Sequence, residues 1–334
     1  QIKYFDKEEN MGGSIKNTVN ALHIQVDQIN TYLGAEVAGL NLSNGLNNAE
    51  TVSLENTLAE FGVLVFREQP LTGDQLMSLG KKFGQLSVHP FSPNDEKNPA
   101  LILFKNDELN PPWKTDVWHS DETFRKVPPF ATMLHALDVP KYGGDTIFTS
   151  MTAAFEGLSD KMQHFLSGLE AYHDFIAFKE VFGKTLEGRE KLREYERDYP
   201  PTLHPVVAKH PITGKKLIFV NPQFTFRIKG MDDIESQQLL NQLYDLTKIP
   251  EYQYRHHWTN NTLVIWDNRS TQHYAVHDYF PKKRFMQRVT ISGREMPQNA
   301  FASANVEHVR NRKTRTPSEL LALHGGHSPK KITN

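Results

Sequence analysis

The chain has 334 residues, of which 38% are hydrophobic and 23% are charged, a composition that suits one large or two small globular domains. Lys and Arg number 38 and Asp and Glu 39, and the resulting formal net charge of −1 argues against a nucleic-acid or membrane-surface protein, because such proteins carry a basic excess. The absence of cysteine excludes disulfides, thiolate metal sites and cysteine nucleophiles.

The N-terminal region begins with a polar stretch, residues 1–20, which we expect to be flexible. It lacks the apolar core of a signal peptide, and no apolar run in the chain approaches the ~20 residues of a membrane helix, so we expect a cytoplasmic protein. "ALHIQVDQI" alternates like a strand. "AETVSLENTLAEFG" predicts a helix that ends at Gly62 and turns four apolar residues to one face: Val52, Leu54, Leu58 and Phe61.

The next segment predicts a buried strand, "VLVFRE", and then a helix, "TGDQLMSLGKKFG", with Thr72 as its N-cap. Residues 86–118 are rich in Pro, Asn and Asp and predict a long loop of the kind that forms active-site lids. "ATMLHALDV" and "DTIFTS" predict strands, and "SMTAAFEGLSDKMQHFLSGL" predicts two short helices. "HPVVAKHPITGKKLIFVN" predicts a hairpin.

The C-terminal part predicts an amphipathic helix, "DDIESQQLLNQLYDLTKI", and three more strands, "YQYRHHW", "TLVIWDN" and "RFMQRVTIS". Many short strands with scattered helices favour a mainly β fold with helical cover, a β-sandwich or jelly roll. A doubly wound α/β fold would need regular strand–helix alternation, which the sequence lacks. We therefore expect one domain over residues 21–296 and a polar tail over residues 297–334.

"VWHSDETF", residues 117–124, places His119 and Asp121 on the same side of an extended chain. Such a pair alone is more often a surface pair than a metal site. His273, in "TLVIWDNRSTQHYAVHDY", completes two histidines and one carboxylate, the ligand set that holds Fe(II) and leaves coordination positions open. Zinc accepts the same ligands, so the set alone does not name the metal.

Arg284 and Arg288 lie four residues apart in "KKRFMQRVTIS" and would share one face of a strand. Arginine suits carboxylate recognition through two parallel hydrogen bonds. An exposed charged face is the ordinary interpretation of such a pair, but the apolar neighbours favour a buried one.

Several motifs together resemble the taurine dioxygenase family of Fe(II)/2-oxoglutarate-dependent oxygenases. They are "LGAEVAGLNL", "WHSDETF", "GGDT" at 143–146 and "WDNRSTQHYAVHDYFPKKRFMQRVTI", and the resemblance covers residues 22–295. It implies a double-stranded β-helix, which is a jelly roll with helices packed outside. It also implies Fe(II), 2-oxoglutarate as co-substrate and O₂, with no catalytic side chain beyond the iron centre.

The resemblance implies the following site residues: His119, Asp121 and His273 for iron, Thr146 and Arg284 for 2-oxoglutarate, and Arg288 with a protonatable His89 for an anionic group of the substrate. Asn106 and Phe224 are further candidates to line the substrate pocket. The carboxylate of Asp121 favours hydroxylation, because related halogenases lack it and leave room for chloride.

A small anionic organosulfur compound is the substrate that these residues favour. Hydroxylation next to the heteroatom of an alkyl sulfonate, taurine or an alkyl sulfate would release an aldehyde with sulfite or sulfate, alongside succinate and CO₂. Taurine enzymes carry Tyr and Asn where Ser92 and Thr115 stand here, which puts taurine itself in doubt.

Other interpretations stay open at this stage. Within the family they are a phosphonate substrate and the cleavage of phenoxyalkanoate ethers. From other classes they are a zinc hydrolase, which has no use for the dicarboxylate site of Thr146 and Arg284, and a non-catalytic jelly-roll binding protein, which should tolerate the loss of a ligand although all three are present. We expect a homo-oligomer, dimer or tetramer, that acts on a small molecule and binds neither nucleic acid nor membrane.

Overall fold

The computed structural model describes residues 23–92, 97–112 and 115–301. The predicted flexible segment at residues 1–20 lies outside the described residues, and so does most of the predicted tail. The domain extends past its predicted end at residue 296, since Gln298 and Asn299 still pair with one of its strands.

Short strands make up most of the described elements. In chain order they are β1 Gln25–Gln28, β2 Ala35–Ala38, β3 Val63–Phe66, β4 Leu86–Ser87, β5 Leu101–Asn106, β6 Ala131–Asp138, β7 Thr146–Ser150, β8 Glu170–His173, β9 Thr202–Pro205, β10 Val207–Lys209, β11 Lys216–Ile218, β12 Thr225–Ile228, β13 Gln253–His256, β14 Leu263–Asp267, β15 Thr271–Ala275, β16 Arg284–Ile291 and β17 Gln298–Asn299.

The α-helices of the described chain lie between these strands. They are α1 Asn48–Phe61, α2 Gly73–Phe83, α3 Met151–Glu156, α4 Asp160–Phe165, α5 Ile176–Phe182, α6 Leu186–Asp198 and α7 Asp233–Asp245, with 3-10 turns at Leu42–Asn44, Leu246–Lys248 and Pro250–Tyr252. No helix in the described ranges is both long and apolar enough to cross a membrane.

A large sheet and a smaller one form the body of the fold. The large sheet has the order β1-β2-β3-β14-β6-β16-β4, with β5 also paired to β16, and the three-stranded sheet that faces it has the order β13-β7-β15. Two further three-stranded sheets have the orders β11-β10-β17 and β12-β8-β9. Side chains of the large sheet and the facing sheet meet in one core, in which Phe148 of β7 packs with Trp266 of β14. The other face of the large sheet packs against α1 and α2. This is the predicted mainly β jelly roll with helical cover.

Strand β16 shows how alternation divides residues between the two cores. Met286 belongs to the core between the sheets, whereas Val289 and Ile291 belong to the core under the helices. Because successive side chains of a strand point to opposite faces, Arg284 and Arg288 share the inner face with Met286. The predicted common, buried face of the two arginines is confirmed.

The predicted helix ends are confirmed where local side chains satisfy the backbone. Thr72 caps α2 in a reciprocal capping box with Gln75, and Gly62 ends α1 with a left-handed backbone. The prediction that Val52 shares one helical face with Leu54, Leu58 and Phe61 was wrong, since Val52 is 59% exposed while Leu54 and Leu58 are buried. The prediction of a continuous loop over residues 86–118 was also wrong, because β4 and β5 both pair with β16 inside it.

Candidate functional site

His119 and His273 are brought together by a backbone bridge between two distant segments. The amide of His273 donates to the carbonyl of His119 at 2.8 Å, and the amide of His119 donates back at 3.1 Å. Strand β15, which carries His273, is itself fixed by its pairing with β7. The two imidazoles therefore lie side by side, with ring centroids 4.1 Å apart.

Asp121 completes a buried triad with these histidines. Its Oδ1 lies 3.8 Å from Nε2 of His119 and 3.8 Å from Nε2 of His273. One ligand atom from each residue lies within 4.8 Å of the others. Nδ1 of His119 donates to the carbonyl of Val117 at 2.7 Å, which leaves the Nε2 lone pair directed at the triad centre. The donor set fits a divalent transition metal such as Fe(II).

The charge states of the triad also suit a metal. Burial lowers the pKa of both His119 and His273, so both imidazoles are neutral at pH 7. Burial opposes ionisation of Asp121, but the positive Arg288, together with a hydrogen bond from Thr132, lowers the pKa of Asp121. Neutral imidazoles and an ionised carboxylate are the forms that bind a metal ion.

A second polar site lies around Arg284. Nε of Arg284 donates to the carbonyl of Gly144 at 3.1 Å, and its guanidinium lies 5.9 Å from the ring centre of Trp258. The indole N–H of Trp258 donates to Oγ1 of Thr146 at 3.0 Å. The hydroxyl hydrogen of Thr146 is therefore left for another acceptor, such as a carboxylate. Trp258 thus lies beside both residues predicted to bind 2-oxoglutarate.

The glycine pair of "GGDT" permits this arrangement. Gly144 has a φ of +74°, and a Cβ at this position would lie 2.9 Å from Cδ of Arg284. A larger residue would be strained in this conformation and would push Arg284 away. The amide of Gly144 donates to Asp278 at 2.8 Å, which anchors the turn.

Arg288 has different surroundings from Arg284. Its Nη2 lies 3.1 Å from Oδ1 of Asp121, and its Nε donates to Oγ1 of Thr290 at 3.1 Å. His89 is buried nearby, and burial together with the positive Arg288 lowers the pKa of His89 to about 3. Nδ1 of His89 accepts the amide N–H of Phe91 at 3.2 Å, so the neutral ring carries its proton on Nε2.

The expectation of a protonatable His89 was therefore wrong. Desolvation of the imidazole in this buried position disfavours its charged form, and the neighbouring guanidinium disfavours it further. Any contribution of His89 to anion binding would be that of a neutral hydrogen-bond donor.

Asn106 and Phe224, the remaining predicted pocket residues, lie in different places. Asn106 pairs with Arg284 across β5 and β16, and its Oδ1 accepts the hydroxyl of Tyr279 at 3.1 Å. It lies on the Arg284 side of the site. Phe224 is buried in an aromatic cluster with Phe91, Phe124 and Phe175.

This aromatic cluster adjoins His89 through Phe178. The ring centre of Phe178 lies 5.7 Å from that of His89 and 6.4 Å from that of Phe224. Of the predicted site residues, the fold brings the three ligands and Arg288 together. His89 lies close enough to Arg288 for the positive charge to lower its pKa.

The sequence did not predict the buried ion pair of Glu122 and Arg125 beside the triad. Glu122 is 1% exposed, and its Oε2 accepts from Nε of Arg125 at 2.6 Å. Burial raises the pKa of Glu122, although the positive charges of Arg125 and Arg288 oppose this. Arg125 also donates to the carbonyl of Val88, next to His89. The only sequence signal was the spacing of three between the two charges in "DETFR", which is common on any surface.

A cavity of about 230 Å³ lies apart from the triad. Its walls include Phe130, Asn268, Arg269 and Arg294, and none of the three predicted metal ligands. Its arginines are already engaged, Arg269 by Asp267 and Arg294 by Glu55. We therefore assign the candidate functional site to the triad, on the basis of its geometry, and not to this cavity.

Comparison with known proteins agrees with this geometry. A family model described as "Taurine catabolism dioxygenase TauD, TfdA family" matches residues 25–290. The chain belongs to this family.

Several relatives have related activities in their names. An alkylsulfatase of Acinetobacter baylyi is 33% identical over 90% of this chain and 92% of its own length. An alpha-ketoglutarate-dependent sulfonate dioxygenase of Saccharomyces cerevisiae is 32% identical over 83% of this chain and 69% of its own. An alpha-ketoglutarate-dependent 2,4-dichlorophenoxyacetate dioxygenase of a Burkholderia species is 29% identical over 82% of this chain and 96% of its own.

A solved structure gives the same result for the fold. A taurine dioxygenase from Burkholderia xenovorans matches with a TM-score of 0.68 and 31% identity, over 81% of this chain and 89% of that one. The chain is thus a 2-oxoglutarate-dependent non-haem iron dioxygenase that uses Fe(II), 2-oxoglutarate and O₂. The zinc-hydrolase and binding-protein interpretations are set aside.

Proposed function

We propose that this TauD-family dioxygenase hydroxylates a small anionic organosulfur compound at the carbon next to the heteroatom. The observation that carries the proposal is the inner face of β16, where Arg284 and Arg288 lie four residues apart, one beside Thr146 and Trp258 and the other beside the triad. One arginine would bind the co-substrate and the other an anionic substrate, so that both anions lie near the metal.

The proposed roles follow the geometry. His119, Asp121 and His273 would hold Fe(II), which with 2-oxoglutarate and O₂ supplies the oxidising chemistry when bound. Arg284 and the hydroxyl of Thr146 would bind the distal carboxylate of 2-oxoglutarate. Arg288 would bind the substrate anion through its guanidinium, and His89 would donate a hydrogen bond from its neutral Nε2. The aromatic cluster with Phe224 would contact the apolar part of the substrate.

The reaction balances for a sulfonate and for a sulfate ester. One oxygen atom of O₂ enters the substrate as a hydroxyl, and the other enters succinate as 2-oxoglutarate loses CO₂. A hydroxyl on the carbon that bears the sulfonate or sulfate makes that carbon–sulfur or carbon–oxygen bond unstable. Its cleavage gives an aldehyde and sulfite from a sulfonate, or an aldehyde and sulfate from a sulfate ester.

A phenoxyalkanoate is the second candidate substrate. The observation that favours it is the aromatic cluster of Phe91, Phe124, Phe175 and Phe224, which adjoins His89 through Phe178 and would suit an aryl ring. Arg288 would then bind a carboxylate instead of a sulfonate.

Succinate formation tests the proposal. The protein is reconstituted with Fe(II) without oxygen and then given 2-oxoglutarate, O₂ and one of taurine, alkyl sulfonates, alkyl sulfates, phosphonates or phenoxyalkanoates, with sulfite and sulfate assayed. Stimulation by a sulfonate or sulfate ester, with matching sulfite or sulfate, is the expected result. Stimulation by phenoxyalkanoates alone would replace the proposal with the second candidate, and stimulation by none would reject both.

A further inference from the structure

Two buried side chains hold the carboxylate of Asp121 from outside the metal triad. The hydroxyl of Thr132 donates to Oδ2 of Asp121 at 2.6 Å, and Nδ2 of Asn268 donates to Oγ1 of Thr132 at 3.0 Å. The indole N–H of Trp266 donates to Oδ1 of Asn268 at 3.0 Å. None of Thr132, Asn268 and Trp266 is more than 2% exposed, so water does not compete for these bonds.

Trp266 sets the donor and acceptor roles in the whole series of hydrogen bonds that runs through Asn268 and Thr132 to Asp121. An indole N–H can only donate, so Asn268 must present its carbonyl oxygen to Trp266 and its amide group to Thr132. The oxygen of Thr132 therefore accepts, and its single hydrogen is directed to Oδ2 of Asp121. Strand pairing fixes the spacing, because Trp266 of β14 lies opposite Thr132 of β6.

The result is an asymmetric carboxylate. Oδ2 of Asp121 is occupied by the Thr132 hydroxyl, while Oδ1 lies 3.1 Å from Nη2 of Arg288 and faces Nε2 of both histidines at 3.8 Å. Asn268 also accepts the backbone N–H of Asp121 at 3.3 Å, so it acts on both the backbone and, through Thr132, the side chain.

We propose that Trp266, Asn268 and Thr132 form a relay that turns Oδ1 of Asp121 toward the two histidines and thereby sets the affinity of the site for a divalent metal. Thr132 and Asn268 are positioning residues in this relay, since neither is itself one of the three ligands. The inference rests on the proposed role of His119, Asp121 and His273 as metal ligands. It predicts that metal affinity depends on a hydroxyl outside the triad.

Titration of the metal-free protein with Mn²⁺ alone tests the relay without any turnover. Thr132→Val keeps the shape of the side chain and removes the hydroxyl, and it should weaken Mn²⁺ binding roughly 10–100-fold, as the loss of an outer hydrogen-bond partner does at metal sites. Thr132→Ser keeps the hydroxyl and should bind Mn²⁺ like the unsubstituted protein. Free Mn²⁺ is read from its electron paramagnetic resonance signal.

Thr149→Val is the matched control. Thr149 is also a fully buried strand threonine, but its hydroxyl has no hydrogen-bond partner among the described residues. Its substitution should leave Mn²⁺ affinity unchanged. Circular dichroism checks the fold of each variant, and Thr132→Ala, which also lacks the hydroxyl, replaces Thr132→Val if that variant does not fold.

Two different failures are distinguishable. If Thr132→Val and Thr132→Ala bind Mn²⁺ as tightly as Thr149→Val, the relay is rejected while the triad stands. If His273→Ala also binds Mn²⁺ as tightly as the unsubstituted protein, the triad is not the metal site, and the proposed ligands and the relay are both rejected. Weak binding by the two hydroxyl-free variants with recovery in Thr132→Ser supports the relay.

Discussion

Two positions on the inner face of β16 carry the same residue, arginine, in opposite electrostatic settings. Arg284 contacts a backbone carbonyl and two aromatic rings, and no carboxylate of the described residues lies within ion-pair distance of its guanidinium. Arg288, four residues later, lies 3.1 Å from the carboxylate of Asp121. Burial lowers the pKa of Arg284, because removing the guanidinium from water disfavours its charged form.

Arg284 and Arg288 would therefore bind an anion in two different ways. At Arg284 the guanidinium is buried next to neutral groups, so a bound carboxylate would supply the missing counter-charge. At Arg288 the counter-charge is a carboxylate proposed to bind the metal. Metal and substrate would therefore be coupled at Arg288, whereas 2-oxoglutarate would meet an arginine without a competing carboxylate.

Arg284→Ala should have the largest effect on ligand binding. We expect 2-oxoglutarate affinity to fall by about 2–5 kcal/mol, because a carboxylate would lose its buried charged partner. Equilibrium binding to the Mn²⁺-loaded protein measures this. Arg288→Ala serves as the control and should bind 2-oxoglutarate nearly normally, and equal losses in both variants would remove the distinction between the two arginines.

Arg288→Ala should instead affect the organic substrate. We expect substrate-free decarboxylation of 2-oxoglutarate to persist and its stimulation by substrate to disappear, with a loss of about 1.5–3 kcal/mol in substrate affinity, the usual range for hydrogen bonds to charged groups. Succinate formation with and without substrate measures this. Arg288→Lys keeps the charge but loses the planar fork and should recover only part of the stimulation. Full stimulation in Arg288→Ala would show that another group binds the anion.

His89→Ala should have a smaller effect than either arginine substitution. A neutral donor contributes about 0.5–1.5 kcal/mol to binding, so substrate affinity should fall by that amount while 2-oxoglutarate affinity stays unchanged. Dissociation constants for both ligands on the same variant provide the comparison. A loss as large as that of Arg288→Ala would indicate that His89 is charged when substrate is bound.

Changing the pH should have the smallest effect. The pKa of His89 is lowered to about 3, so the imidazole stays neutral from pH 8 down to pH 6 and substrate affinity should be flat over that interval. A histidine with an ordinary pKa near 6.5 would gain charge as the pH falls, and an anion would then bind more tightly at pH 6 than at pH 8. Such a rise, absent in His89→Ala, would contradict the burial argument.

Much of the site could be predicted because its signals are local. The alternation of β16 places Arg284 and Arg288 on one face, whatever the rest of the chain does. His119 and Asp121 lie close together as predicted, but not on the predicted strand, because His119 forms an isolated bridge and Asp121 lies in a turn. The capping box at Thr72 and the helix end at Gly62 are also local. Oligomeric state and cellular location depend on surfaces and signals that these patterns do not report, and both stay predictions.

Errors arose where long-range pairing decided the outcome. Residues 101–106 are mostly apolar and lack turn-forming residues, but they lie between two loop-like stretches. They form a strand because they pair with β16. The error at Val52 was local instead: at 3.6 residues per turn it lies about 120–180° around the helix from Leu54, Leu58 and Phe61, on the exposed side.

The sequence by itself determined the chemical inventory of this protein: two histidines, one carboxylate and two arginines, with a spacing that puts the two arginines on one face of β16. Only the tertiary structure decided which groups they meet. The bridge between His119 and His273 closes the triad, the turn at Gly144 admits Arg284, and the burial of His89 removes its charge. The physical reason is that spacing controls direction along one strand, whereas desolvation and ion pairing depend on neighbours from distant parts of the chain.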